Sequence, residues 1–109
     1  LGKGEVTNRR GGVIAGNGAT IGVWITGGEG SVTNERGGTI TGGNNGVVIS
    51  GSGTLVNEGD ILGMNPGFYG VRFSNSGSGT YGTDVSNHGN IFGGGTGLSL
   101  NFSGTCRHG

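Results

Sequence analysis

Proline is nearly missing from this chain; Pro66 is the single one. A collagen-like rod needs proline together with glycine at every third position, and the 31 glycines here keep no such period. Cysteine is as scarce. Cys106 stands alone, which excludes an internal disulfide framework and leaves it as a free thiol near the end. Charged residues make up only 11 % of the chain, and six basic residues cancel six acidic ones. That balance lacks the basic footprint of a nucleic-acid or polyanion partner. No apolar run approaches the ~20 residues of a membrane helix, and the residues after Lys3 do not form a signal peptide. Helical spacing of apolar residues is absent too, and each glycine inside a helix would cost about 1 kcal/mol.

What is present is an internal repeat. Val6-Thr7-Asn8, Val32-Thr33-Asn34, Leu55-Val56-Asn57 and Val85-Ser86-Asn87 open four copies. The marker asparagines stand 26, 23 and 30 residues apart. Ile14, Ile40, Ile61 and Ile91 mark the middles, each with a glycine two residues on. Gly22-Val23-Trp24-Ile25, Gly46-Val47-Val48-Ile49, Gly70-Val71-Arg72-Phe73 and Gly97-Leu98-Ser99-Leu100 close the copies. Regularly placed Val and Ile separate this chain from a flexible glycine-rich linker. A period of this size marks a stacked repeat architecture.

Aliphatic residues alternate with small or polar ones inside each run, and glycine or asparagine bounds every run. That is a strand signature, so the chain reads as all-β. Three short strands per copy, in a fixed order, predict about four turns of a right-handed parallel β-helix (a β-solenoid). The expected domain spans 1–104, with copies at about 4–28, 30–51, 53–78 and 82–104, followed by a tail over 105–109. Sixteen side chains are expected inside: Val6, Ile14, Val23 and Ile25 with their equivalents in the next three copies, down to Leu98 and Leu100. Asn8, Asn34, Asn57 and Asn87 are expected to form a structural ladder, because a buried amide can bond its own bend and the amide above it. Length variation is confined to bends, the longest being the loop from Met64 to Tyr69.

Catalytic chemistry finds little purchase. Glu58 and Asp60 flank Gly59 as the best local carboxylate pair, and Asp84 lies near His88. Glycoside hydrolysis needs two carboxyls facing one bond at about 5–10 Å, and a solvated bend accounts for these residues equally well. Nothing resembles a calcium repeat, a zinc ligand set or a nucleotide-binding glycine loop, so no cofactor or metal is expected and the chain is read as a non-enzyme. Threonines at Thr39 and Thr41 raise an ice-binding reading, weakened because the equivalent residues Val13, Ala15, Asp60, Leu62, Asn90 and Phe92 do not repeat the pair. Trp24, Val48, Leu62 and Phe92 point outward on the alternation and form a candidate contact surface.

The pattern V-x-N-x-G-x-I-x-G followed by G-V-x-I-x-G runs through the copies; its first half stands as Leu55 to Gly63, with leucine in place of the valine, and again from Val85 to Gly93. It resembles the glycine-rich passenger repeats of bacterial autotransporters and related surface adhesins. That resemblance implies a right-handed β-helix, an extracellular or cell-surface location, and an adhesive or structural role; no catalytic residue carries over. The repeat also runs to both ends without a polar cap, so further solenoid is expected to complete it, from the same polypeptide or from copies stacked head to tail into a filament. A host or cell-surface carbohydrate or protein is the other expected partner. The alternative from a different class is a carbohydrate-active β-helix fragment using Glu58, Asp60 or Asp84.

Overall fold

The computed structural model describes residues 3–74, 81–101 and 104–108. Residues 1, 2, 75–80, 102, 103 and 109 lie outside the described residues, as do the side chains of Asp84, Leu98, Leu100 and Cys106. Eleven strands and no helix make up the described residues. They are β1 (Lys3–Asn8), β2 (Val13–Gly16), β3 (Val23–Asn34), β4 (Thr39–Gly42), β5 (Val47–Asn57), β6 (Asp60–Gly63), β7 (Tyr69–Ser74), β8 (Tyr81–Asn87), β9 (Asn90–Gly93), β10 (Thr96–Asn101) and β11 (Gly104–His108).

Every strand pair is parallel, and partners are always equivalent residues of successive copies. Ile14 pairs with Ile40, Ile40 with Ile61, and Ile61 with Ile91 along one wall, β2-β4-β6-β9. The larger sheet forks because β5 turns a corner. Its first half, Val47–Ser50, pairs with β7, while Gly53–Asn57 pairs with β8. The sheet therefore supplies two more walls, and the chain is a parallel β-helix with three strands per turn. Parallel pairing normally needs a long crossover; here one full turn of the coil is the crossover.

Alternation dictates what faces inward. On β4 and β6 the isoleucine and the glycine two residues on are buried while their neighbours are half-exposed. Eleven buried side chains form one cluster: Val23, Ile25, Val32, Ile40, Val47, Ile49, Leu55, Ile61, Val71, Phe73 and Val85. Val6, Ile14 and Ile91, on the outer rungs, pack against it while only partly buried. These account for all the expected inward residues whose side chains are described.

Two features depart from the expected layout. The boundaries placed near residues 29 and 52 fall inside continuous strands, since β3 and β5 run through the corner without a break. In β3 the corner holds one extra residue: Thr26 pairs with Ser50, but Glu29 pairs with Ser52. Such a bulge bends a strand without ending it. Second, the expected tail over 105–109 contains β11, paired in register with β8 from Gly104↔Tyr81 to His108↔Val85. It starts a fifth rung by pairing along the edge of β8, since a strand edge offers backbone donors and acceptors to whatever strand lies beside it.

Bends absorb the copy-to-copy length differences. In the first two copies the bend is a four-residue turn, closed by Gly12 N–H on the Arg9 carbonyl and Gly38 N–H on the Glu35 carbonyl, both at 2.8 Å. Gly11 and Gly37 take φ values of 75° and 81° there, a region open chiefly to glycine. In the last two copies the bend is two residues shorter, and the asparagine closes it: Gly59 N–H and Gly89 N–H donate to the Asn57 and Asn87 side-chain oxygens at 3.3 and 3.2 Å.

Core and wall positions predict a graded response to substitution. Ile40→Ala, at a fully buried site, should lower the unfolding free energy by about 2–5 kcal/mol. Gly42→Ala should be at least as harmful, because its new methyl would land on the Asn45 backbone carbonyl, which no rotamer change can move. Val13→Ala, 69 % exposed, should stay within about 0.5 kcal/mol. Urea unfolding of the three variants checks the order, and equal costs at Ile40 and Val13 would contradict it.

Candidate functional site

The marker asparagines lie in one column at the corner between the β1 wall and the β2 wall. Asn8 Nδ2 donates to Asn34 Oδ1, Asn34 Nδ2 to Asn57 Oδ1, and Asn57 Nδ2 to Asn87 Oδ1, each at 2.8 Å. The same nitrogens also donate to backbone carbonyls of their own bends, Gly12, Gly38 and Gly59, at 3.0–3.1 Å. Asn34 and Asn57 are fully buried. Asn34 and Asn57 thus each occupy both the donor and the acceptor side of the amide, which is the condition for burying it without penalty. A glycine packs beside each amide. A methyl at Gly38 would sit 2.7 Å from Asn34 Oδ1 and 2.9 Å from Asn8 Nδ2, so the ladder excludes any larger residue there.

The four candidate contact residues separate. Trp24 is 63 % exposed and Phe92 56 % exposed, and Leu62 is half-buried. Val48 is buried at 7 % and is not a surface residue. Its outward column reads Trp24, Val48, Arg72, and the two long neighbours a rung away on either side cover the short valine. The Arg72 guanidinium lies 5.4 Å from the Tyr69 ring centroid, a cation–π distance that fixes it along the wall. Leu62 and Phe92 are register neighbours on the β6–β9 wall. Trp24 stands on a different wall, so no single patch unites the set.

Trp24 has other company. An open groove of about 460 Å³ is lined by Ala19, Thr20, Ile21, Trp24, Asn44, Asn45 and Phe68. Three bends of successive rungs, 17–22, 43–46 and 64–68, build it together with Trp24 of β3. Asn65 Nδ2 donates to Asn44 Oδ1 at 3.0 Å, and Tyr69 N–H donates to Asn45 Oδ1 at 2.8 Å, tying the long third bend to the second. The Thr20 hydroxyl donates to the Asn17 carbonyl at 2.6 Å. Of these residues, sequence alone singled out only Trp24; the aromatic-rich loop around Phe68 was the visible hint.

Of the candidate carboxylates, Glu58 and Asp60 have described side chains and that of Asp84 does not. Glu58 is exposed in its bend, and Asp60 Oδ1 accepts a bond from Asn90 Nδ2 of the next rung at 2.9 Å. Among the described residues, no three His, Cys, Asp or Glu side chains gather where they could hold a metal ion. The Thr39 and Thr41 columns run through Asp60 and Leu62, as an irregular array. No protein-family model matches the chain, and neither curated proteins nor solved structures give a match.

The ladder makes its own prediction. Asn34→Ala removes a donor and an acceptor from the buried column and should cost about 2–4 kcal/mol. Asn34→Asp keeps the acceptor, loses the donor and sets a carboxylate oxygen against Asn57 Oδ1. At neutral pH it should be at least as unstable as the alanine variant. Burial raises the folded pKa of the new carboxyl, so the deficit should shrink as pH falls toward about 4, where the protonated group donates again. Urea midpoints across pH check the sign; a deficit that grew on acidification would contradict it.

Proposed function

We propose that this chain is a non-enzymatic structural and adhesive solenoid of the cell exterior, a length of rod whose rungs accept further rungs at either face. One observation carries this reading: the repeat is spent on register. Walls and side-chain amides match residue for residue from copy to copy, while titratable side chains are few. β11 extends the same pairing past the fourth copy. The outermost strands present backbone edges of the kind that take up another strand.

The adhesive and extracellular parts of the proposal draw on the likeness of the Leu55–Gly63 and Val85–Gly93 patterns to autotransporter passengers. They also draw on a surface poor in charge yet carrying exposed Trp24, Phe68 and Phe92. Exposed aromatics of this kind suit contact with a partner better than solubility.

Sedimentation velocity and negative-stain imaging over a wide concentration range test the axial part. Concentration-dependent rods with a ~4.8 Å axial repeat in fibre diffraction are expected. A single dispersed monomer at every concentration would contradict it.

A further inference from the structure

We propose that the groove beside Trp24 is a binding site for one uncharged sugar ring of a neutral oligosaccharide. This rests on the adhesive half of the function above and gives it a ligand class; it does not depend on axial assembly.

The lining sets the chemistry. None of the groove residues is ionisable, so a nucleotide, an acidic peptide or a uronate would surrender its hydration without gaining a counter-charge. Two aromatic rings, Trp24 at 63 % and Phe68 at 37 % exposure, offer flat apolar faces. A pyranose has a matching C–H face and a rim of hydroxyls, each both donor and acceptor. The groove answers that rim at two fixed points. The Asn44 oxygen is taken by Asn65, which leaves its NH2 group as a donor. The Thr20 hydrogen is taken by the Asn17 carbonyl, which leaves its oxygen as an acceptor. Asn45, bonded to the Tyr69 amide, anchors the loop that carries Phe68. About 460 Å³ lies within the usual range for a small-ligand cleft.

A second copy of the chain fits less well. Rod-to-rod contacts repeat with the rungs, whereas the bend 64–68 carries Phe68 and the equivalent bends 17–22 and 43–46 carry no aromatic residue, so the pairing of two rings across this groove is not a repeating feature of the described rungs. An apolar partner surface would also bury the Asn44 amide and the Thr20 oxygen unpaired.

Trp24 is the only tryptophan, so its fluorescence reports this groove alone. Titration with neutral hexose and N-acetylhexosamine oligosaccharides should give a saturable spectral change. Asn44→Ala should weaken binding roughly ten-fold, Thr20→Val should weaken it as well, and Phe92→Ala should leave it unchanged. Urea midpoints would confirm that each variant is folded. Several results would overturn the proposal: no saturable change with any neutral saccharide, an equal response to a uronate oligomer or an apolar peptide, or full binding by both groove variants. A blue shift with protein concentration alone would assign the groove to a second copy and overturn it too. Failure of rod assembly in the experiment above would leave these outcomes untouched.

Discussion

A column of buried asparagine amides fixes the register on which everything else rests. Parallel strands with similar apolar faces can slip, because Val over Ile is nearly as good as Val over Val. An amide cannot slip. Moved by one residue it points out of the coil; moved by two it meets a hydrocarbon, and in either case its neighbours lose both donor and acceptor. The 2.8 Å bonds from Asn8 through Asn87 therefore select one alignment from many that hydrophobic burial alone would tolerate.

Once register is set at that corner, the walls follow and the bends are released. Inward positions must stack in columns of like size, so Ile14, Ile40, Ile61 and Ile91 repeat without change. Beside the amides only glycine fits, which explains part of an extreme glycine content as a packing requirement rather than a sign of flexibility. Bends carry no such constraint, so their lengths diverge. Divergence is what makes a local site possible on a repetitive rod: where bends 17–22, 43–46 and 64–68 differ, a groove opens beside Trp24.

The fold was legible in the sequence because a solenoid writes its contacts as a period. Alternation within strands and recurrence between copies both sit in the primary structure, and the inward residues from Val6 to Ile91 could be named from them. What escaped was set by neighbours one rung away. Val48 reads as outward and is outward, yet Trp24 and Arg72 cover it, and only knowing their register and reach shows that. Continuous strands through the corners escaped too, since glycines such as Gly30 and Gly53 read locally as breaks but lie inside paired strands. The strand Gly104–His108 matches the repeat poorly in sequence, so the side-chain pattern did not announce its register with β8. The groove is least legible of all, being assembled from three loops whose sequences share no motif.

Side-chain amide NMR tests the central claim most directly. If the ladder sets the register, the Asn34 and Asn57 NH2 protons should exchange with solvent far more slowly than those of exposed Asn17 and Asn65, and the Asn34 NH2 should show cross-peaks to Asn57 and to Gly38. Equal, fast exchange at all of these asparagines, or cross-peaks linking Asn34 to any rung other than its two neighbours, would contradict the account.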